Sequence, residues 1–568
     1  MQDFVIALAQ ANLLVGDVDG NLALIRKLRA QAHAAGAHLV VFSELSIVGY
    51  PPEDLVLKPA LCEHSRRALE ALARDTGDGG PAMVVGAPRR EGDGRLYNMA
   101  FLLHGGRIAG HRAKHALPNY GVFDEVRVFA SGPIPGPMPL PFAGADPIRL
   151  GIMVCEDMWN GDVAEALGES GAEILIVING SPFEEDKQDR RLQLAVARVT
   201  ETGLPLVYVN QIGGQDELVF DGASFALDGN RNLVAQGRMF EEQLLLTRWR
   251  RDADGESLYA AERAEIAPPL PPLEAIYRAM VLGLRDYVQK NRFPGVVLGL
   301  SGGVDSALTA AVAVDALGAG KVHAVMMPSR YTSAESLEDA AECAARLGIR
   351  LDEIRIEPAV LAFQGMLAPI FAGREPDTAE ENVQSRIRGV ILMALSNKLG
   401  SMVLTTGNKS EMSVGYATLY GDMAGGYSVL KDVYKTTVFA LARLRNERRP
   451  QGSLGPKDRV VPERIIAKPP SAELRENQKD EDSLPPYEVL DVLLRGLVEE
   501  DLSPKELVER GHEPDLVRKV SNLLDLAEYK RRQAPPGVKI TSKAFGRDRR
   551  YPITNAFRRV GLREIEVK

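Results

Sequence analysis

A chain of 568 residues is longer than one hydrophobic core usually supports, so two or more domains are expected. With 26% charged and 45% hydrophobic residues and a net charge of −9, it has the mixture of a soluble globular protein and offers no basic surface to nucleic acid. Three cysteines without paired spacing exclude a disulfide framework and a structural zinc site and suit a reducing cytoplasm, and no apolar run is long enough to span a bilayer.

The opening stretch, MQDFVIALAQANLLVGDVDGN, lacks the basic region of a signal peptide and reads as a first strand. FVIALAQ is followed by the helical NLALIRKLRAQAHAAGA and then by HLVVFSE. Further apolar runs are AMVVGAP, NMAFLLH, RLGIMVC, AEILIVIN and LPLVYVNQ. Such alternation predicts an α/β domain over residues 1–250, although isolated runs leave the pairing order open. Around 247–272 the pattern breaks: RWRRDADGES is charged and EIAPPLPPLEA is proline-rich, so 251–272 is expected to be a linker.

A second domain is expected over 273–568. LEAIYRAMVLGLRDYVQKN reads as a helix, and GVVLGLSGGVDSALTAAVAVDALG as strand, glycine-rich loop and helix. The next strand, KVHAVMMP, completes a βαβ unit of a doubly wound parallel sheet. Residues 447–486 look like an exposed mobile segment, and the tail is helical and then basic. No internal repeat is present.

In LSGGVDSA, Gly302 and Gly303 let backbone N–H groups approach an anion, and the helix that follows adds its positive dipole end. Ser301 and Ser306 can donate hydroxyl hydrogen bonds, and Asp305 can hold magnesium. The Gly-Lys-Ser/Thr ending of a Walker loop is missing, and with it the γ-phosphate lysine. The loop resembles instead the pyrophosphate loop of the ATP pyrophosphatases, which implies an acceptor carboxylate attacking the α phosphorus while pyrophosphate leaves. ATP would then be held by Gly299, Leu300, Ser301, Gly302, Gly303, Val304, Asp305 and Ser306.

Downstream, TTGNKSEMSVGYATLYGDMAGGYSVLKDVYKT, KPPSAELRENQKDEDSLPPYE, ENVQSRIRG and KITSKAFGRDRRYPITNAF resemble the NAD synthetase family over most of the second half. That resemblance implies ATP contacts from Thr406, Lys435 and Ser471, magnesium between Asp305 and Glu411, and deamido-NAD held by Arg386, Glu411 and Lys530. Leu419 stands where shorter members of the family often carry a cation.

RLGIMVCEDMWN places Cys155 at a strand end, HLVVFSE ends at Glu44, and AGHRAK ends at Lys114. Singly, a cysteine in an apolar strand is packing, and the glutamate and lysine are surface charges. Strand ends along one sheet edge can nevertheless converge on a common crevice. The segments FSELSIVGYPPEDL, KHALPNYGVFDE and GIMVCEDMW resemble the nitrilase superfamily, whose fold is an α-β-β-α sandwich and whose triad is Glu-Lys-Cys. The resemblance implies amide hydrolysis: Glu44 as base, Cys155 as nucleophile, Lys114 as oxyanion stabiliser, and glutamine held by Tyr120, Ser181 and Lys187. Glu156 and Asp157 either order the turn, bind a substrate amine or are merely solvated.

Together the two halves imply that one releases ammonia from glutamine and the other consumes it. Ammonium has no lone pair with which to attack, so a sheltered passage is expected. The implied products are NAD (a product here, not a cofactor), AMP, pyrophosphate and glutamate. Expected partners are deamido-NAD, ATP, glutamine and further copies of the chain in a homo-oligomer, with neither nucleic acid nor membrane. Open alternatives are a glutamine-dependent ligase that adenylylates another carboxylate, a tRNA-modifying pyrophosphatase, and a nucleotide sensor with an inactive first half.

Overall fold

The computed structural model describes residues 3–142, 145–251 and 258–557, and the chain divides into two compact units, Met1–Leu270 and Pro271–Lys568. In the first unit, the strand Phe4–Gln10 explains the architecture. Its residues alternate between two cores, Phe4, Ile6 and Leu8 facing one and Val5, Ala7 and Ala9 the other, which is why FVIALAQ is apolar throughout. It lies within a seven-stranded sheet of order Leu258–Ala260, Gln243–Arg251, Phe4–Gln10, Leu39–Val41, Ala82–Arg90, Leu96–His104 and Arg107–Ala113.

A six-stranded sheet, ordered Leu233–Gln236, Phe225–Leu227, Leu206–Asn210, Ile174–Asn179, Ala145–Val154 and Met138–Phe142, supplies the other half. Ile152, Val154, Ile176 and Ile178 join Phe4, Ile6 and Leu8 in the core shared by the two sheets. Helices cover the outer faces. Val18–Ala34 and Pro59–Asp75 place Ile25, Leu28, Leu69 and Leu72 on the first sheet. Gly161–Glu169 and Lys187–Thr202 place Val163, Leu167, Ala195 and Val199 on the second. The result is the expected α-β-β-α sandwich.

The charged run RWRR is not the start of a linker but the end of the strand Gln243–Arg251, seven residues of which pair antiparallel with Phe4–Gln10. Charge and burial alternate there: Trp249 is fully buried, while Arg248 pairs with Glu262 and Arg250 with Asp3. Residues 252–257 lie outside the described residues. Leu258–Ala260 then adds an edge strand, and Ala267 is buried beyond it, so this proline-rich stretch is fastened to the first unit.

The second unit is built on a five-stranded, wholly parallel sheet ordered Arg350–Glu353, Val322–Met326, Val296–Gly299, Met402–Thr405 and Tyr427–Ser428. Its first strand is central, so chain order reverses there, and the crevice beyond that strand's carboxyl end is a topological switch point. The helix Val304–Leu317 that follows buries every residue except Asp305, which accounts for its apolar composition. Four helices near the end, Tyr487–Val498, Pro504–Glu509, Pro514–Leu526 and Glu528–Arg531, follow the sheet; Leu490, Leu494, Leu507, Val517 and Val520 of the first three share one core.

Residues 447–486 are exposed in large part, as expected, but the stretch up to Ile466 is anchored. Val460, Val461, Ile465 and Ile466 are buried, and the Asn446 side chain accepts from the N–H groups of Val460 and Val461. A buried Arg445–Asp315 pair holds the same stretch, since Asp315 also accepts from Gly455 N–H and Arg445 donates to Pro456 O. Its hydrophilic composition concealed four apolar anchors. Among the described residues no helix is long and apolar enough to cross a membrane.

Candidate active sites

Each of three strands of the first unit leads to one polar residue. Glu44 lies three residues beyond Leu39–Val41, while Lys114 directly follows Arg107–Ala113 and Cys155 directly follows Ala145–Val154. Glu44 and Lys114 are fully buried and bonded: Lys114 Nζ donates to Glu44 Oε1 at 2.7 Å. Asn98 Nδ2 also donates to that oxygen at 2.7 Å, and Gly180 N–H donates to Glu44 Oε2 at 3.0 Å. Cys155 is 4% exposed and holds φ at +45°, a left-handed conformation that a side chain bearing a Cβ rarely adopts. Burial raises its thiol well above the ordinary range; the Glu44 charge adds to this and the Lys114 charge opposes it. A thiol so placed needs a base to become a nucleophile.

Lys114 stays an ammonium. Burial pulls its pKa down, but Glu125 and Glu44 outweigh that and raise it. Glu125 was not singled out in the sequence, where it merely closes GVFDE and reads as a loop acid. It is 5% exposed, accepts from Lys114 Nζ at 3.0 Å and from Tyr50 Oη at 2.9 Å, and burial lifts it to about 7 despite the lysine. Asn98 and Tyr50 were missed for the same reason: nothing local distinguishes them from packing residues.

The two acids after Cys155 differ. Asp157 is fully buried and accepts from Val154, His115 and Ala116 N–H groups at 2.9–3.0 Å and from Arg112 Nη2 at 2.8 Å. It therefore orders the Cys155 turn and ties it to the strand end carrying Lys114. Glu156 accepts from Tyr120 Oη at 3.1 Å, and burial raises its pKa. Tyr120 packs edge-on against Phe123, whose ring lies 5.8 Å from Lys187 Nζ, and Lys187 pairs with Glu184 at 3.2 Å. Ser181 follows Gly180, the residue that donates to Glu44, and its hydroxyl accepts from the buried Arg191 at 3.1 Å. Tyr120 and Lys187 thus share one neighbourhood, and Ser181 adjoins the Glu44 contact.

In the second unit the loop Leu300–Gly303 follows the central strand. Gly302 takes φ +79°, and a Cβ there would stand 2.3 Å from the Ser336 carbonyl oxygen, so only glycine fits. The Ser306 hydroxyl donates to Gly303 O at 3.0 Å and accepts from Ser301 N–H at 3.2 Å, fixing the loop's curvature. Asp305, the one residue of its helix that is not buried, accepts from Asn408 Nδ2 at 2.9 Å and from Lys435 Nζ. Lys435 Nζ also donates to Glu411 Oε1 at 3.1 Å. Burial pushes Glu411 up to about 8 against the pull of Lys435, and Asp305 adds to the rise.

Arg386 and Lys530 converge elsewhere, on the loop 415–419. Arg386 donates to Leu419 O at 3.2 Å, and Lys530 to Gly415 O and Ala417 O at 2.7 Å each. Thr406 lies directly after the strand Met402–Thr405 and is half-buried. Ser471 is exposed and turns its hydroxyl to Gln478 O at 2.6 Å, within its own loop. Among the described residues no cluster of three His, Cys, Asp or Glu side chains could hold a metal unaided. Two carboxylates beside a phosphate loop do suit magnesium, which takes one or two carboxylates and completes its shell with phosphate and water oxygens.

A sandwich with a buried Glu-Lys pair beside a strained cysteine, joined in one chain to a parallel sheet with a glycine-rich loop at its switch point, suits an amidase–nucleotidyl ligase pairing. Residues 5–253 match the carbon-nitrogen hydrolase family model and residues 276–534 the NAD synthase model. The chain is 50% identical to the glutamine-dependent NAD(+) synthetase of Rhodobacter capsulatus over 98% of its own length and 99% of the relative's. It is 44% identical to that of Acinetobacter baylyi over 98% and 99%. A solved glutamine-dependent NAD+ synthetase from Acinetobacter baumannii, in complex with ADP, aligns with TM-score 0.76 and 43% identity over 97% of this chain and 98% of that one. The chain belongs to the glutamine-dependent NAD(+) synthetase family.

Proposed function

We propose that this chain makes NAD from deamido-NAD, ATP, glutamine and water, releasing AMP, pyrophosphate and glutamate. The observation that carries the reading is the buried Lys114–Glu44 bond beside the strained Cys155. Glu44 takes the proton of a thiol that burial keeps neutral, and Cys155 Sγ attacks the glutamine carboxamide. Lys114, held charged by Glu44 and Glu125, stabilises the oxyanion. Ammonia leaves, a thioester remains, and water activated by Glu44 hydrolyses it to glutamate. Lys187 pairs with the glutamine α-carboxylate, with Tyr120 and Ser181 completing the pocket.

In the second unit the deamido-NAD carboxylate attacks the ATP α phosphorus and pyrophosphate departs. N–H groups of the loop at Gly302 and Gly303, with Lys435, Thr406 and Ser471, hold the phosphates. Asp305 and Glu411 would hold magnesium, which when bound would neutralise charge on the leaving pyrophosphate. Arg386 and Lys530 face the deamido-NAD, and ammonia then displaces AMP from the adenylate. Three free thiols favour a cytoplasmic setting. An apolar helix face bearing Phe363, Met366 and Ile370 favours a homo-oligomer.

The test is NAD formation from deamido-NAD and Mg-ATP, with glutamine or ammonium as nitrogen source. The native chain is expected to use both and Cys155→Ala only ammonium. Glutamine-driven synthesis by the variant would overturn the assignment.

A further inference from the structure

Lys435 opens the helix Lys435–Glu447, is 2% exposed, and puts its ammonium between the two carboxylates read above as magnesium ligands. The surroundings are built for a cation at that point. Asn408 holds the second oxygen of Asp305, and the Tyr487 ring lies 5.2 Å from Nζ. Asp480 contributes a third negative charge; it is 4% exposed, and its Oδ2 accepts from Tyr487 Oη at 2.8 Å. Asp305, Glu411 and Asp480 all favour the charged form of the lysine, against the effect of burial.

An ammonium and a divalent ion cannot share the same two carboxylate oxygens. At contact distance inside a protein their repulsion is several-fold stronger than in water. We propose that Lys435 is a placeholder cation: its ammonium occupies the Asp305 and Glu411 oxygens and keeps free metal out until a nucleotide binds. An incoming triphosphate offers its oxygens to the ammonium, which turns to them and leaves the carboxylates to the magnesium carried by that nucleotide. Lys435 stands at the first turn of its helix, and its Nζ donates to Asp305, two residues beyond Gly303. The site thereby selects the metal–nucleotide pair over the metal alone. This inference rests on the assignment of Asp305 and Glu411 as the metal ligands.

The experiment titrates Mn2+, alone and without nucleotide, into the full chain, and reads free ion by electron paramagnetic resonance. Lys435→Met and Lys435→Gln are expected to bind at least tenfold more tightly than the native chain and to gain melting temperature with added Mn2+. Lys435→Arg, which retains a cation, is expected to bind as weakly as the native chain. Equal, tight binding by native and neutral variants would overturn the placeholder while leaving the metal site standing. Absence of binding by a folded neutral variant would overturn both the placeholder and the metal assignment. The two neutral variants differ in that glutamine keeps a hydrogen-bond donor to the carboxylates, so folding need not depend on the methionine form.

Discussion

Glu125 and Asp157 show how much of a site's behaviour rests on single buried groups. Burial holds Glu125 near 7, with the Lys114 charge opposing and the Glu44 charge adding to the rise, whereas an unfolded glutamate titrates near 4.5. Between those values the folded chain binds more proton than the unfolded one, so this group's stabilisation is complete below about 4.5 and is lost as pH rises through 7. Across pH 5 to 8 the native chain is expected to lose on the order of 1–3 kcal/mol more stability than Glu125→Gln. Thermal melts of both proteins at stepped pH check this, and parallel curves would rule out Glu125 as the titrating group. Asp157 acts differently: its four donors leave it no freedom, and it transmits the position of the Cys155 turn to the Lys114 strand end. The role of Glu125 was not legible beforehand and that of Asp157 was one of three open readings, because an acid in a loop looks the same in sequence whether solvated or buried.

At the scale of the element, strand ends and the turns after them carry the residues of the proposed chemistry. Glu44, Lys114 and Cys155 follow three strands of two different sheets, and Asp305 follows the first strand of a third. The loop proposed to hold phosphate was legible because its requirement is local: a glycine where φ is positive and the Ser336 carbonyl leaves no room. Gly302→Ala is accordingly expected to weaken binding of a non-hydrolysable ATP analogue at least about tenfold, roughly 1.4 kcal/mol, since left-handed backbone and a blocked Cβ each act against it. Calorimetric titration reads the change; an unaltered dissociation constant would mean that the loop does not hold the nucleotide. The strand Gln243–Arg251 was illegible for the opposite reason. Its partner lies more than 230 residues earlier, and only that pairing turns alternating arginines from a linker signal into the polar face of a strand.

For the molecule as a whole, the distribution of exposed apolar surface is the informative feature. On the helix Glu357–Phe371 only Val360 is buried, while Phe363, Met366 and Ile370, spaced three and four apart, are 42%, 62% and 72% exposed. The neighbouring helix Thr378–Leu399 exposes Val390 and Met393 as well. A patch of this kind on a charged, acidic chain calls for cover, and a second copy is the proposed occupant. Sedimentation of the native chain is expected to give a multiple of the 61.8 kDa protomer mass, and the double variant Met366→Glu, Ile370→Glu a smaller assembly. A native monomer would refute the oligomer.

By itself the sequence determined the α/β alternation of both halves, the glycine-rich turn between strand and helix at Gly302 and the chain order Glu44, Lys114, Cys155. Strand periodicity, glycine conformation and residue type are written within a few neighbouring positions. Tertiary structure alone decided that Glu125 joins Lys114, that Asp157 is an internal tie, that Val460, Val461, Ile465 and Ile466 are buried anchors, and that Lys435 lies between Asp305 and Glu411. Those facts depend on burial and on contacts between residues far apart in the chain. A charge shows its partner, and hence its function, only when the fold removes water from around it.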